Sequence, residues 1–389
     1  MRHLPQGRTG FAVLVTDVRH LLEANCFIRR VEGFAHIGDE GLVIGAADRP
    51  VLLSAIGERI WEAAEYATTL DKISAALTAR YDIDAETCRR EVARFLSMLG
   101  GRGLIVEVDA PDPMRDRYLS LLKRALVNLI YVDNEQRLWL LCGPDGPPAE
   151  PPSQTHMRDI RYREPAGYQS LVDAKRIGTV INRQPGRYAH TMVGLHGLTH
   201  IERLAERLFA EGIAGDFVDA GTCRGGCAIL MRALQQAFGE AQRRVWVADS
   251  FSGVPPSTAA ADLRDKVDLT EERYPWLTAS LETVRDNFAT YDLLDDGVRF
   301  LPGLFADTLA DAPIGAIALL RIDADLYSST MECLEALYDR VVPGGFVIVD
   351  DYAWLPSCRE AVDEFRERRG ITARIERVNW TVIHWRKDE

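Results

Sequence analysis

The sequence lacks three features that would place the protein in a specialised class. Basic side chains are not in excess, because 46 lysines and arginines stand against 58 aspartates and glutamates, for a net charge of −12. No apolar run reaches the length of a membrane span, and no apolar stretch follows residues 1–7, so we expect neither an anchor nor a signal peptide. The seven cysteines include no CxxC pair, which argues against a disulfide framework and a structural zinc site.

What remains is the composition of an ordinary globular protein, with 47% hydrophobic and 27% charged residues. The acidic balance disfavours a nucleic acid partner, because phosphate backbones are bound chiefly by lysine and arginine. The absence of a targeting segment and of paired cysteines favours a reducing compartment. We therefore expect a cytoplasmic protein with no nucleic acid and no membrane as partner.

The chain of 389 residues is longer than a single modest core requires, which predicts two domains. A polar segment with two prolines, residues 109–113, separates two differently patterned regions. We place the domains at residues 1–110 and 111–389. A second proline-rich stretch, residues 143–152, is predicted to be a surface loop.

The pattern of the first domain predicts a small sheet followed by helices. Residues 34–37 and 42–44 flank a glycine-containing turn as two strands, and residues 51–53 add a short third strand. Apolar side chains then recur at helical spacing, most clearly in residues 88–99, behind the helix-capping candidate Asp84. This predicts an α+β domain of winged-helix type.

Strands and helices alternate after residue 200. Apolar runs typical of buried parallel strands occur at residues 217–219, 245–249, 298–301, 316–322 and 346–349. Helical stretches separate them at residues 228–237, 277–291 and 331–341. The pattern predicts a doubly wound, Rossmann-like α/β sheet, which binds ligands beyond the carboxyl ends of its strands. Two more strand-like segments, residues 372–378 and 381–385, predict an added hairpin, which is more typical of a methyltransferase than of a dehydrogenase.

A glycine-rich loop, residues 219–226, follows the first of these strands. Glycines let a backbone approach a ligand closely, and the helix N-terminus beyond the loop favours negative charge. The spacing is neither GxGxxG nor a P-loop, which weakens the dinucleotide and nucleoside triphosphate interpretations. Asp249 ends the next strand, where its carboxylate could accept hydrogen bonds from ribose hydroxyls. A tight turn with a helix cap explains either feature alone, but explains the two together less easily.

Carboxylates cluster after the fourth and fifth strands. Asp323 and Asp325 follow one strand, and Asp350 and Asp351 follow the next. If these strands are neighbours, the acids meet at one edge of the sheet, where their mutual repulsion favours a bound cation. Oxygen ligands suit magnesium. The alternative is that the acids cap helices or face solvent, but four of them after buried strands favour the metal.

A diffuse motif runs through residues 42–44, 52–61, 73–81 and 95–105. On this motif, residues 34–108 resemble the PqqD-like peptide-recognition domain of peptide-modifying enzymes. The resemblance implies that the domain binds a leader peptide, which adds a strand to the edge of its sheet. An unpaired edge offers the backbone donors and acceptors for such binding. The alternative is a small domain that packs on its neighbour or dimerises.

A closer similarity covers residues 114–389. Its motifs are residues 118–126, 189–194, 215–226, 245–253, 298–309, 320–330 and 343–352. On these motifs the region resembles the macrocin-type O-methyltransferases, which methylate hydroxyl groups with S-adenosylmethionine and a magnesium ion. The resemblance implies that Asp323, Asp350 and Asp351 hold the Mg²⁺ and that Asp325 is the general base.

The same resemblance implies the residues of the cofactor site. S-adenosylmethionine would be bound by Asp219, Gly221, Thr222, Gly225, Asp249, Ser250 and His190. A purely structural, hydrogen-bonded histidine is an equal alternative for His190. The sequence departs from the family at Asp219, where glutamate is more frequent, and at Ala324, where the acid motif usually has glycine.

Together the two resemblances imply a peptide-modifying enzyme. We hypothesise that the first domain captures the leader of a ribosomal peptide and that the second methylates a side-chain hydroxyl or a carboxylate, the peptide C-terminus included. Fusion would raise the effective concentration of the substrate. The alternative is an enzyme that methylates a sugar or polyketide hydroxyl in antibiotic biosynthesis, with a structural first domain. A non-enzymatic peptide-binding protein is a third hypothesis, and assembly into a homo-oligomer is left open.

Overall fold

The computed structural model describes these stretches of the chain: residues 27–30, 35–38, 41–44, 51–64, 68–102, 104–108, 112–142, 152–178, 189–255 and 268–388. The chain divides into two compact units, Met1–Asp116 and Arg117–Glu389. The division falls a few residues beyond the boundary expected from the sequence. The loop expected at residues 143–152 lies, apart from Pro152, outside the described residues.

The strands of the first unit form two small antiparallel sheets. They are β1 Phe27–Arg30, β2 Ala35–Gly38, β3 Gly41–Ile44, β4 Val51–Leu52 and β5 Ile105–Val108. Strands β2, β3 and β4 pair in chain order, as the sequence predicts, and β1 pairs with β5. The sequence analysis did not predict the β1–β5 pair, because its two strands lie far apart in the chain and neither shows a hairpin signal.

Three helices complete the first unit: α1 Ala55–Ala63, α2 Leu70–Thr78 and α3 Ala85–Gly101. Each begins after a residue whose side-chain oxygen accepts a hydrogen bond from a backbone N–H of the first turn, namely Ser54, Thr69 and Asp84. Such caps satisfy donors that the helix itself cannot pair. The apolar faces of the helices form one core around the fully buried Leu96 and Ile73.

The remaining elements follow in chain order. The helices are α4 Pro113–Leu126, α5 Val132–Cys142, α6 Gln154–Arg158, α7 Ile160–Arg163, α8 Pro165–Ile177, α9 Gly194–Ala210, α10 Gly226–Ala237, α11 Leu281–Thr290, α12 Phe305–Thr308, α13 Tyr327–Leu337 and α14 Pro356–Arg368. The strands are β6 Asp216–Ala220, β7 Val245–Asp249, β8 Val298–Pro302, β9 Ile317–Ile322, β10 Val341–Val349, β11 Glu376–Arg377 and β12 Ile383–Arg386.

Within the described residues, the strands of the second unit form a seven-stranded sheet in the order β11-β12-β10-β9-β6-β7-β8. The pairs from β10 to β8 are parallel, whereas β12 pairs antiparallel with β10 and β11 with β12. This is the class I methyltransferase form of the Rossmann-like fold, and its last hairpin confirms the prediction from residues 372–385. The strand order reverses between β6 and β9, so a crevice opens beyond their carboxyl ends.

Two hydrophobic clusters hold the sheet between its helices. One packs α9 and α10 on one side around Phe217, Leu230 and Phe346, and the other packs α13 and α14 around Leu320 and Phe365. The side chains of β9 are buried on both faces, which explains why its sequence is apolar without alternation. In the part of the chain that the structure describes, no helix is long and apolar enough to span a membrane.

Candidate functional site

A cavity of about 240 Å³ opens at the carboxyl ends of the parallel strands in the second unit. Its lining includes four groups that bear on function. They are the loop after β6, with Gly221, Thr222 and Cys223; the end of β7 and the segment after it, with Asp249, Ser250 and Gly253; the acids Asp323, Asp325, Asp350 and Asp351 with Arg321; and the residues Trp354, Asn379, Trp380 and Thr381. A site at this position follows from the reversal of strand order. The cavity therefore combines the predicted glycine loop and the predicted acids.

The loop after β6 brings its backbone against the strand that carries the acids. Gly221 has a φ of +87°, and its N–H donates to the carbonyl oxygen of Ala248 at 2.9 Å. A Cβ at position 221 would collide with the carbonyl group of Asp323. Glycine is therefore required at position 221 for two reasons: the backbone conformation and the close approach to Asp323.

We expect Gly221→Ala to destabilise the protein strongly, because the added methyl group meets backbone atoms that cannot rotate away. The matched control is Gly212→Ala, which shares a positive φ of +66° but has open space around the added atom. The control should cost only the backbone strain of about 1–2 kcal/mol. Urea unfolding of both variants gives the comparison, and equal losses would contradict this account of Gly221.

Asp249 organises the glycine loop and keeps one acceptor position for a ligand. Its Oδ2 accepts from the backbone N–H groups of Thr222 at 2.9 Å and Cys223 at 3.1 Å, and its Oδ1 accepts from that of Phe251 at 2.8 Å. The Ser250 hydroxyl has one proton, which it donates to the carbonyl oxygen of Gly253 at 2.7 Å. A carboxylate accepts about four hydrogen bonds. Oδ1 of Asp249 can therefore accept a further hydroxyl proton, such as one from a ribose.

The predicted acids do meet at one edge of the sheet, because β9 and β10 are parallel neighbours. A buried guanidinium lies among them. Nη1 of Arg321 donates to Asp219 at 2.6 Å, and Nη2 donates to Asp323 at 2.6 Å and also to Asp350. Arg321 thus neutralises part of the negative charge and ties the end of β6 to the ends of β9 and β10.

Even beside the Arg321 guanidinium, these carboxyl groups cannot all ionise at once without a cost. Burial raises the pKa of Asp325 to about 8, and repulsion from Asp323 and Asp350 adds to the effect. Burial raises the pKa of Asp350 to about 7 against the attraction of Arg321. Burial together with the facing Asp325 and Asp323 carboxylates holds the pKa of Asp351 well above its usual range. One guanidinium does not compensate the charge of the whole group.

The donor chemistry of the acids fits a hard divalent cation. Their ligand atoms are carboxylate oxygens, and the buried Oδ2 of Asp351 has no hydrogen-bond partner. In the described part of the chain, however, no three acidic, histidine or cysteine side chains are placed as a ready metal site. Two of the oxygens that a metal would use accept hydrogen bonds from Arg321 instead.

Asp325 has a strained backbone. It is one of the few non-glycine residues with a positive φ, at 58°, a conformation that aspartate and asparagine tolerate better than other side chains. It lies in the loop between β9 and α13, and its side chain lines the cavity. Strain of this kind persists where the surrounding structure holds a residue in a required position.

Three of the residues predicted to bind the cofactor do not line the cavity. Asp219 is fully buried and is paired with Arg321 and the Thr222 hydroxyl. Gly225 has a φ of +88° and precedes α10, where it faces the side chain of Val284. His190 contacts the Tyr291 hydroxyl through Nδ1 at 2.9 Å. These residues support the cavity wall from behind.

Burial and the nearby Arg224 guanidinium lower the pKa of His190. This histidine is therefore neutral at pH 7. Its contact with Tyr291 favours the structural alternative that the sequence left open. The neighbouring residues Thr191, Met192 and Val193 do line the cavity. The segment of the sequence motif thus reaches the cavity through Thr191, Met192 and Val193 rather than through His190.

The sequence analysis also missed two groups of cavity residues. Arg321 carried a signal, since a charged residue in the apolar strand β9 requires a buried partner. Trp354 and Trp380 gave little signal in the sequence, because only the tertiary structure brings their two loops together.

The match to known families decides what kind of protein this is. Residues 115–387 match the family described as Macrocin-O-methyltransferase (TylF). The chain belongs to the macrocin O-methyltransferase family. It is therefore an S-adenosylmethionine-dependent O-methyltransferase, as the motifs in residues 118–352 implied.

Individual relatives of this family member are O-methyltransferases too. The chain is 43% identical to the 8-demethyl-8-(2,3-dimethoxy-alpha-L-rhamnosyl)-tetracenomycin-C 4'-O-methyltransferase of Streptomyces olivaceus, over 71% of this chain and 94% of the relative. It is 35% identical to the mycinamicin III 3''-O-methyltransferase of Micromonospora griseorubida, over 72% and 99%. The solved structure of the O-methyltransferase NovP superimposes with a TM-score of 0.56 and 35% identity, over 71% of this chain and all of NovP.

The first unit is a separate feature of this macrocin O-methyltransferase family member. Residues 42–105 match the family described as Coenzyme PQQ synthesis protein D (PqqD), which confirms the PqqD-like resemblance. The two relatives above are matched over nearly their whole length. They therefore have no room for a further domain of this size.

Proposed function

We propose that the protein transfers the methyl group of S-adenosylmethionine to an alcohol hydroxyl of a glycosylated small molecule in natural product biosynthesis. The support comes from its relatives, whose named substrates are a rhamnosyl tetracenomycin and mycinamicin III, together with demethyldecarbamoylnovobiocin for a relative from Streptomyces niveus that is 38% identical. This proposal replaces the peptide substrate as the leading hypothesis.

The observation that carries the proposal is the position of Asp325. An alcohol keeps its proton at pH 7 and needs a base, whereas a carboxylate acceptor is already ionised. Asp325 lines the cavity. Its pKa of about 8 leaves the side chain largely protonated at pH 7, and the positive charge of a bound S-adenosylmethionine or cation would lower that pKa and release the carboxylate as a base. The side chain is thus suited to accept the hydroxyl proton.

The chain's own residues would arrange the reaction. S-adenosylmethionine supplies an electrophilic methyl group on a sulfonium when it is bound. Asp249 would accept a hydrogen bond from the cofactor's ribose, and Gly221, which lines the cavity, would form part of the cofactor's binding surface. Asp325 would hold the acceptor hydroxyl in line and receive its proton, because alignment supplies much of the rate in such transfers.

We further propose that Mg²⁺ binds at Asp323, Asp350 and Asp351. The unpartnered Oδ2 of Asp351 and the raised pKa values of Asp350 and Asp351 favour a cation beyond Arg321. A bound Mg²⁺ would lower the pKa of an acceptor hydroxyl. Because Arg321 contacts Asp323 and Asp350, these two carboxylates would have to turn partly away from it.

One assay tests the proposal in both parts. The full-length protein is incubated with S-adenosylmethionine and a panel of rhamnosylated aromatic polyketides and macrolide glycosides, and methylated product is measured by mass spectrometry. We expect methylation of at least one glycoside and none of its aglycone. Activity that survives EDTA treatment would refute the magnesium role, and no methylation across the panel would refute the glycoside substrate.

A leader-directed peptide substrate is the second candidate, and the PqqD-like unit is the observation that favours it. Domains of this type bind a peptide along a free strand edge. In the described part of the first unit, β2 and β4 each have one strand neighbour. Calorimetric titration of the full chain with a synthetic leader from a precursor gene adjacent to its own would test this, and absence of binding would remove the candidate.

A further inference from the structure

Two tryptophans form an aromatic corner in the cavity wall. The rings of Trp354 and Trp380 meet edge to face, with centroids 5.4 Å apart and planes at 79°. Both residues line the cavity, and Trp354 is 42% exposed although tryptophan is usually well covered. An exposed aromatic pair inside a cavity leaves apolar surface for a ligand to cover.

Backbone hydrogen bonds hold this corner in place. The N–H of Trp354 donates to the carbonyl oxygen of Asp351 at 3.0 Å, and that of Ala353 donates to the carbonyl oxygen of Thr381 at 2.9 Å. The second contact ties the loop after β10 to the loop that carries Trp380. The position of Trp354 is therefore coupled directly to the acid cluster.

The loop of Trp380 is ordered by a buried amide. Oδ1 of Asn379 accepts from the N–H groups of Thr381 at 2.9 Å and Val382 at 2.8 Å. Nη2 of Arg377 donates to the carbonyl oxygen of Trp380 at 3.1 Å. The corner is thus fixed before any ligand arrives, which reduces the entropic cost of binding.

The sheet order assigns this corner to one end of the cavity. Trp354 follows β10 and Trp380 precedes β12, whereas Asp249 is the last residue of β7. Strands β10 and β12 lie on one side of β9, and β6 and β7 lie on the other. The acids after β9 and β10 therefore separate the aromatic corner from the proposed ribose acceptor. The corner belongs to the acceptor's end of the cavity.

We infer that Trp354 and Trp380 bind the apolar face of the acceptor's sugar ring, an inference that rests on the proposed glycoside substrate. The C–H groups on one face of a sugar ring carry partial positive charge, and an aromatic face carries partial negative charge. A ring held in this way lies beside Asp351, and its hydroxyls reach toward Asp325.

Kinetics of Trp354→Ala and Trp380→Ala test this inference, with a glycoside that the wild-type protein methylates. We expect the acceptor KM to rise about tenfold, by analogy with other aromatic contacts, whereas kcat changes little. The affinity for S-adenosylmethionine, measured by calorimetry, should not change. Phenylalanine at either position should keep most of the acceptor affinity, because it keeps an aromatic face.

The matched control is Trp276→Ala. Trp276 forms a similar edge-to-face pair with Tyr274, at 5.4 Å and 89°, but does not line the cavity. The acceptor KM of the Trp276→Ala variant should equal that of the wild type. Unchanged acceptor KM in both Trp354 and Trp380 variants would overturn the inference and leave the proposed function intact. Failure of the wild type to methylate any glycoside would overturn both.

Discussion

Replacement of Asp325 by asparagine is expected to lower kcat by about 10²–10⁴-fold, the usual contribution of a positioned general base. Asparagine has the shape of aspartate and tolerates the positive φ of 58° at this position. The variant therefore removes the basic oxygen without adding backbone strain. Single-turnover measurements with saturating cofactor and acceptor give the chemical step directly.

The control for this variant is Asp363→Asn. The Asp363 carboxylate accepts a hydrogen bond from the Tyr352 hydroxyl at 2.7 Å and does not line the cavity. Its loss of charge should leave kcat unchanged, and both variants should bind S-adenosylmethionine as the wild type does. If Asp325→Asn kept the wild-type kcat, Asp325 would not be the base, and the argument for an alcohol acceptor would lose its main support.

The fold of the second unit could be predicted from the sequence because its parallel strands are largely apolar runs separated by helical stretches. A run such as that of β9, which is buried on both faces, is typical of the middle of a parallel sheet. Once the alternation of strands and helices is recognised, the parallel order follows, and with it the convergence of Asp323 and Asp350. The β1–β5 pair in the first unit was missed because its strands lie far apart in the chain and neither shows a hairpin signal.

The candidate site was harder to predict in detail than in location. The sequence indicates which loops reach the cavity, but the direction of each side chain depends on packing. Asp219 illustrates this, since the family resemblance implied cofactor contact, whereas its side chain pairs with the buried Arg321. Trp354 and Trp380 are 26 positions apart and meet only because β12 returns beside β10.

Arg321→Met is expected to destabilise the protein by about 3–5 kcal/mol, the usual cost of removing one partner from a buried ion pair. Methionine keeps much of the side-chain volume but leaves Asp219, Asp323 and Asp350 without their cation. The largest part of this loss of stability comes from Asp219, because its carboxylate is fully buried. Urea unfolding at pH 7 in the presence of EDTA measures this loss.

Magnesium should restore part of that stability if it binds at the acids. A ligand present at one hundred times its Kd stabilises a folded protein by about 2.7 kcal/mol, and the variant leaves the oxygens of Asp323 and Asp350 free to bind it. The control is Arg232→Met, which removes another buried arginine, one that pairs with Asp295 at 2.7 Å. That variant should lose stability without any greater gain from Mg²⁺ than the wild type shows. An equal response to Mg²⁺ in both variants would mean that Arg321 and the metal do not share the same carboxylates.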